Sequence, residues 1–382
     1  MLLKRIYEPL ERFIQANKVL VIYGPRQVGK TTLLRRYLQD ATLKWKLVTG
    51  DDIRVQEALG SLDLRQLLAY VDGYELLAID EAQEVPNIGA ALKLLVDEAP
   101  GLHLVVTGSS SFELAGQIGE PLTGRKRTLH LFPIAQVEML AVNNRYELRE
   151  QLEDRLLYGA YPAVLTATTR AERLEALNEI AHSYMLKDIL AFDRLRNSRT
   201  LNDLLRLLAF QIGREVSLNE LATQLSIDVK TVQRYLDLLE QAFVLVRLGG
   251  FSRNLRKEVT SKAKYYFFDT GLRNALIAQF NPLTQRDDVG MLWENFLVME
   301  RLKYRTYFDI YANSYFWRTY DQQEVDLVEE RDGALFGYEF KWSTQRKVAA
   351  PTAWRTAYPT ASFRVMTPEN YLDFVAPAQS DT

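Results

Sequence analysis

Up to Pro133, short continuous apolar runs alternate with stretches whose apolar positions return every three or four residues. The run Val19, Leu20, Val21, Ile22, Tyr23 is too short for a buried helix and reads as a parallel strand covered on both faces. WKLVTGDD from Trp45, Leu76 to Ile79, LHLVVTG from Leu102 and the run closing at Pro133 read the same way. Between them Leu33, Leu34, Tyr37 and Leu38 mark one helix, and Ile53 to Tyr70 carries two, divided near Gly60-Ser61. Ile6, Leu10, Phe13 and Ile14 predict a short amphipathic helix ahead of the first strand. Such alternation builds an α/β domain with a parallel sheet, assigned to residues 1–142.

From Arg145 to Ile212 the spacing is helical throughout, with a turn at YGAYP where Pro162 cannot continue the preceding helix. Residues 143–198 are expected to form a helical lid. Residues 201–212 start a three-helix pattern in which Ser217 caps the second helix and Asp228 the third. Strands at Phe243–Leu248 and Lys264–Phe268 then complete a winged-helix pattern over 199–270. In 271–382, a helix at Met291–Leu302 precedes the strands YFWRT, QEVDLVEE and LFGYEFKW, the last two joined by a hairpin at Asp332-Gly333. A helix over Gln345–Tyr358 and a final strand at Ser362–Thr367 close the pattern, ahead of a frayed tail.

At the end of the first strand the chain reads GPRQVGKT, the full G-x-x-x-x-G-K-[ST] spacing, between a strand and a helix. Gly24 and Gly29 let backbone N–H groups converge on phosphate oxygens, and the helix starting near Lys30 adds its positive dipole end. Gly24, Pro25, Arg26, Gln27, Val28, Gly29, Lys30, Thr31 and Thr32 are therefore the candidate nucleotide contacts. Lys30 would reach the β and γ phosphates of ATP and Thr31 would bind Mg²⁺. YELLAIDE ends its strand on Asp80-Glu81, where open α/β sheets bind ligands. Asp80 suits the carboxylate behind that Mg²⁺, and Glu81 the base or water-positioner for attack on the γ phosphate. Ser109 follows the next strand, either as a sensor of the γ phosphate or as a cap of the following helix. Arg125, with Lys126 and Arg127, is either a solvated turn or a finger reaching a neighbouring subunit's ATP, which would imply a homo-oligomer.

The composition narrows the remaining choices. The chain has 382 residues, 47% hydrophobic and 25% charged, enough for two or three domains. There is no cysteine, and the histidines are His103, His130 and His182, so thiolate and zinc chemistry are not expected. No apolar run reaches the roughly 18 residues of a membrane span, and the N-terminus is too charged for a signal peptide; no membrane partner and a cytoplasmic location are expected. A net charge of −2 means that any DNA binding must come from a local patch. The wing bases Arg253, Arg256, Lys257 and Lys262, with Lys230, Gln233 and Arg234 on the third helix, are the candidate; docking of a protein partner is the alternative use of the same module.

GPRQVGKTTLL, LLAIDEAQ, VVTGSS and LTGRKRTLHLFP together resemble the ATPase core of AAA+ proteins, in particular the prokaryotic group that couples it to a C-terminal restriction-endonuclease-like domain. The resemblance spans nearly the whole chain. It implies a P-loop ATPase whose nucleotide roles fall on Gly24, Gly29, Lys30, Thr31, Asp80 and Glu81. Glu294, Asp326, Glu339 and Lys341 match the E…D…E-x-K order of PD-(D/E)xK nucleases. Glu339 and Lys341 lie two apart on one strand and face the same side. There Asp326 and Glu339 would hold Mg²⁺ beside a scissile phosphate, and Lys341 would stabilise or activate the attacking water. The rival expectation is a regulatory ATPase whose C-terminal domain cuts nothing and docks a protein or DNA.

Overall fold

The computed structural model describes residues 3–109, 122–184, 198–252, 263–343 and 348–377. It divides into two compact units, residues 2–133 with 241–243, and residues 134–240 with 244–382. Among the described residues no helix is long and apolar enough to cross a membrane.

The first unit is built on β1 (Val19–Tyr23), β2 (Trp45–Thr49), β3 (Leu76–Asp80), β4 (His103–Gly108) and β5 (Lys126–His130). They form one parallel sheet in the order β2-β3-β4-β1-β5. β1 is buried along its whole length, as its unbroken apolar run requires. Parallel strands end on a common edge, so this order brings Gly24, Asp80 and Gly108 to one side of the sheet. The helix Lys30–Asp40 follows the β1 loop and buries Leu33, Leu34, Tyr37 and Leu38. The division expected near Gly60-Ser61 is there: Ile53–Gly60 ends, and Asp63 opens Leu64–Val71 by accepting the Arg65 and Gln66 N–H groups. The expected N-terminal helix is corrected to one 3-10 turn, Leu10–Phe13. Pro9 disfavours helical backbone at Glu8, which separates Ile6 from the later apolar positions.

The second unit starts with the helices Arg145–Glu150, Leu152–Tyr158, Pro162–Thr166 and Arg170–Asn178. Pro162 takes the first position of its helix, where no N–H is needed. Ser198–Phe210, Leu218–Leu225 and Val229–Gln241 follow; the Ser217 hydroxyl accepts Glu220 N–H and the Asp228 carboxylate accepts Thr231 N–H, as their cap positions predict. Then come β6 (Glu215–Val216), β7 (Leu245–Gly250), β8 (Ala263–Phe267), β9 (Asn313–Arg318), β10 (Glu324–Arg331), β11 (Ala334–Phe340) and β12 (Ser362–Met366). All seven lie in one sheet, in the order β12-β11-β10-β9-β7-β8-β6. The strands expected of a winged helix and those expected of the C-terminal domain are thus hydrogen-bonded neighbours, through the parallel pairing of β7 with β9. Asp332 and Gly333, at φ 50° and 74°, make the tight turn between β10 and β11. Of the helix expected over Gln345–Tyr358, Gln345, Arg346 and Lys347 lie outside the described residues, and the described remainder is helical only over Thr352–Ala357, because Pro351 disfavours helical backbone at Ala350 before it. The wing bases Arg253, Arg256, Lys257 and Lys262 lie outside the described residues.

Two glycines close the core of this unit. A Cβ on Gly271 would stand 2.1 Å from the Tyr158 carbonyl oxygen, and one on Gly159 would stand 1.9 Å from Asp269 Oδ1. Asp269 is buried there and accepts the Ala160 N–H at 2.8 Å. Gly271→Ala is expected to destabilise the chain by about 1–3 kcal/mol, since the clash is with backbone that cannot move aside. Thermal denaturation of the variant checks this.

Candidate functional site

The loop after β1 is shaped by what its glycines permit. A Cβ on Gly24 would lie 1.9 Å from the Leu131 carbonyl oxygen, so no side chain fits. Gly29 sits at φ 96° directly before the helix Lys30–Asp40, a conformation that favours glycine. The helix start leaves its first N–H groups without intrahelical partners and directed at the loop. Lys30 is buried, and its Nζ donates to the carbonyls of Gly24 and Pro25, both at 2.8 Å. The Thr31 hydroxyl donates to Asp80, 3.0 Å from Oδ1 and 2.8 Å from Oδ2. The hydroxyl and the carboxylate expected to share a divalent ion therefore stand in direct contact. Their oxygen donor set suits Mg²⁺, which is bound through one or two carboxylates and substrate phosphates.

Glu81 lies just past β3 in a left-handed conformation, φ 49°. Its Oε2 accepts the Gln83 amide at 2.5 Å, and the same amide donates to Ser109 Oγ at 3.2 Å. The Thr107 hydroxyl on β4 donates to Asp80 Oδ1 and accepts the Glu81 N–H at 3.2 Å. Ser109, expected either as a sensor or as the cap of a following helix that lies outside the described residues, meets the acidic pair through Gln83, and Thr107 reaches it directly. Thr107 was readable only as one hydroxyl in an otherwise apolar strand, VVTG, where threonine is an ordinary strand former. Arg125 is bound by Asp97 of its own chain, Nε to Oδ1 at 2.9 Å, and Arg127 lies 4.7 Å over the Phe13 ring. Pro25, Arg26, Gln27, Val28 and Thr32 complete the loop and the first helical turn; Val28 is fully buried and Thr32 exposed.

Arg5 is a second residue of this site that the pattern did not signal. It is buried, donating from Nη1 to the Val28 carbonyl at 2.5 Å and from Nη2 to the Phe132 carbonyl at 2.7 Å. One guanidinium therefore ties the phosphate loop to the strand end beside it. Arg5→Ala is expected to cost about 1.5–3 kcal/mol, the value of hydrogen bonds to a charged group, and to weaken nucleotide binding with it. Parallel melts with and without nucleotide separate the two effects.

In the second unit, Glu294 from the helix Val289–Tyr307, Asp326 from β10, and Glu339 and Lys341 from β11 and the residue just beyond it come together. Lys341 Nζ is 2.6 Å from Glu339 Oε1, which agrees with the two sharing one side of the strand. Asp326 lies within a β-bulge between Val325 and Val328, an irregularity that re-aims side chains, and its Oδ2 accepts the Phe340 N–H at 2.7 Å. Burial, reinforced by the charges of Glu294 and Glu339, pushes the Asp326 carboxyl well above the usual range. Burial also raises Glu339, against the pull of Lys341.

Three members of this cluster were not anticipated. Lys264 on β8 is buried, with its Nζ 2.9 Å from Glu294 Oε1 and 2.5 Å from Glu324 Oε1. The Tyr266 hydroxyl donates to the same Glu294 oxygen at 2.6 Å. Burial disfavours the Lys264 charge, but Glu294, Glu324 and Asp326 outweigh it and hold the group above its ordinary pKa. Lys264 and Tyr266 face one side of a strand that was read as the wing, and only the shared sheet carries them to Glu294. Among the described residues no three His, Cys, Asp or Glu side chains form a ready-made metal set.

Residues 16–140 match the model of an AAA domain, and residues 149–283 and 289–373 match two domains of unknown function, DUF8612 and DUF4143. An uncharacterized protein of Mycobacterium tuberculosis, Rv2008c, is 30% identical over 87% of this chain and 72% of its own. MJ1544 of Methanocaldococcus jannaschii, also uncharacterized, is 25% identical over 78% of this chain and 69% of its own. A crystal structure of a signal transduction ATPase with numerous domains, PH0952 from Pyrococcus horikoshii, aligns with 77% of this chain and 46% of its own. The identity is 13% and the TM-score 0.25, too low to carry an argument.

Proposed function

The chain belongs to the same family as the mycobacterial protein Rv2008c and contains an AAA domain, and from that premise we propose that it is an ATP-hydrolysing switch whose nucleotide state gates its second unit. The observation that carries this reading is the contact of Thr31 with Asp80 at the mouth of the phosphate loop. In it the loop N–H groups and Lys30 hold the phosphates, while Thr31 and Asp80 hold Mg²⁺, which when bound neutralises charge developing on the β and γ phosphates. Glu81 orients the attacking water, and Gln83 holds the Glu81 carboxylate in place. Thr107 links Asp80 to the Glu81 backbone, so a change at the γ phosphate is felt at the end of β4.

For the second unit we propose a nucleic-acid-processing role. It is supported by the convergence of Glu294, Asp326, Glu339 and Lys341 from separate elements, and by the exposed Lys230 and Arg234 on the helix Val229–Gln241. In this reading the three helices and β6 to β8 act as a winged helix that meets phosphates, and Asp326 and Glu339 would hold a divalent ion, which would supply Lewis-acid polarisation of a scissile phosphate. A second reading, a docking module that cuts nothing, is favoured by the pairing of Lys264 with Glu294 and Glu324, which neutralises part of the cluster from within. The deciding experiment is a nuclease assay on DNA and RNA, with Mg²⁺ or Mn²⁺, with and without ATP. Cleavage that vanishes in Asp326→Asn supports the first reading; full ATP turnover without cleavage of any substrate supports the second.

A further inference from the structure

We propose that the Lys264 ammonium is a permanent cation of the carboxylate cluster, closing its Glu294–Glu324 side to metal and leaving a place for one divalent ion, not two, at Asp326 and Glu339. This rests on the reading of that cluster as an ion site. Lys264 commits its ammonium to Glu294 and Glu324, and its side chain is only 3% exposed. Glu294 is enclosed as well: Oε1 takes the Lys264 and Tyr266 protons, and the Gly213 α-carbon stands so close that an added Cβ would meet Oε2 at 3.3 Å. A metal there would have to displace a buried ion pair, which leaves an uncompensated buried charge.

The other side differs. Glu339 gives Oε1 to Lys341, but its buried Oε2 has no hydrogen-bond partner among the described residues. An unsatisfied buried carboxylate oxygen is costly, and a cation is the simplest group to satisfy it. Burial and mutual repulsion raise Asp326 and Glu339 in the absence of a cation; ionised around a bound ion, they join Glu294 and Glu324 against Lys264 and Lys341 to leave two negative charges, the charge of one divalent ion. Mg²⁺ is commonly held by one or two carboxylates with waters completing its shell, so the pair Asp326 and Glu339 is enough.

The test is a Mn²⁺ titration of the full chain read by electron paramagnetic resonance, without nucleotide, in an Asp80→Asn background that removes the carboxylate beside Thr31. One Mn²⁺ per chain is expected, kept in Glu294→Gln and lost in Asp326→Asn. Lys264→Met is expected to take a second ion or to bind the first at least tenfold tighter. Two ions in the Asp80→Asn parent, loss of the ion in Glu294→Gln, or an unchanged titration in folded Lys264→Met would overturn the role of Lys264 while leaving an ion site in place. No Mn²⁺ in the parent or in Lys264→Met would overturn that role and the ion-site reading together. Should Lys264→Met not fold, the Glu294→Gln and Asp326→Asn pair still decides which side holds the ion.

Discussion

Glu81→Gln is expected to bind ATP within a few-fold of the parent chain and to turn it over about 10²- to 10⁴-fold more slowly, the range for loss of a positioned acid–base group. The substitution keeps the side-chain volume, and Gln83, which donates its amide to Glu81, can still meet an amide oxygen there. What is lost is the negative charge that aligns and deprotonates water, which matters only in the chemical step. Lys30→Ala should behave differently. Its ammonium lies inside the loop on the Gly24 and Pro25 carbonyls, within reach of any phosphate bound by the loop N–H groups. Removing it should abolish tight binding and turnover together. A fluorescent-nucleotide titration beside a steady-state phosphate-release assay distinguishes the two variants. Turnover in Glu81→Gln equal to that of the parent would remove Glu81 from the mechanism.

The first unit was legible in the sequence because its cues are local. A buried parallel strand needs an unbroken apolar run, a phosphate loop needs glycine where the backbone turns left-handed or meets another chain segment, and Asp80-Glu81 must end a strand. Thr107 and Arg5 escaped because their roles depend on what a neighbouring strand or distant carbonyl brings to them. The same limit explains Lys264. Its strand reads as the wing of one module and Glu294 as the helix of another; only the pairing of β7 with β9 merges their sheets. Even the residues that were named needed help from outside the pattern, since the bulge in β10 interrupts the alternation on which a same-face argument for Asp326 would rest.

The largest expected loss of stability comes from Glu329→Ala, about 3–5 kcal/mol, the cost of breaking a buried ion pair by removing one partner. Glu329 is fully buried on β10, three residues beyond Asp326, and Arg301 of the helix Val289–Tyr307 grips it with both arms of the fork, Nε to Oε1 and Nη2 to Oε2, each at 2.8 Å. Arg305 adds a contact to Oε1 at 3.4 Å. Alanine would leave two guanidinium groups in the core with their carboxylate gone. This pair also ties the helix that carries Glu294 to the strand that carries Asp326, so the variant should disorganise the acidic cluster as well as the fold. Burial alone would raise the Glu329 pKa, but its hydrogen bonds and charge contacts with the two arginines outweigh burial and hold it below the ordinary carboxylate value. A depressed folded-state pKa contributes stability that is complete above the unfolded value and lost as pH falls through the folded one. The parent should therefore lose this contribution only in acid, below the usual carboxylate range, whereas Glu329→Gln should be destabilised at neutral pH and show a flatter acid limb. Urea denaturation at neutral pH and along an acid series measures both. A Glu329→Ala variant within 1 kcal/mol of the parent would mean that the two arginines find solvent or another partner, and that the link between this helix and strand is held by its aromatic packing instead.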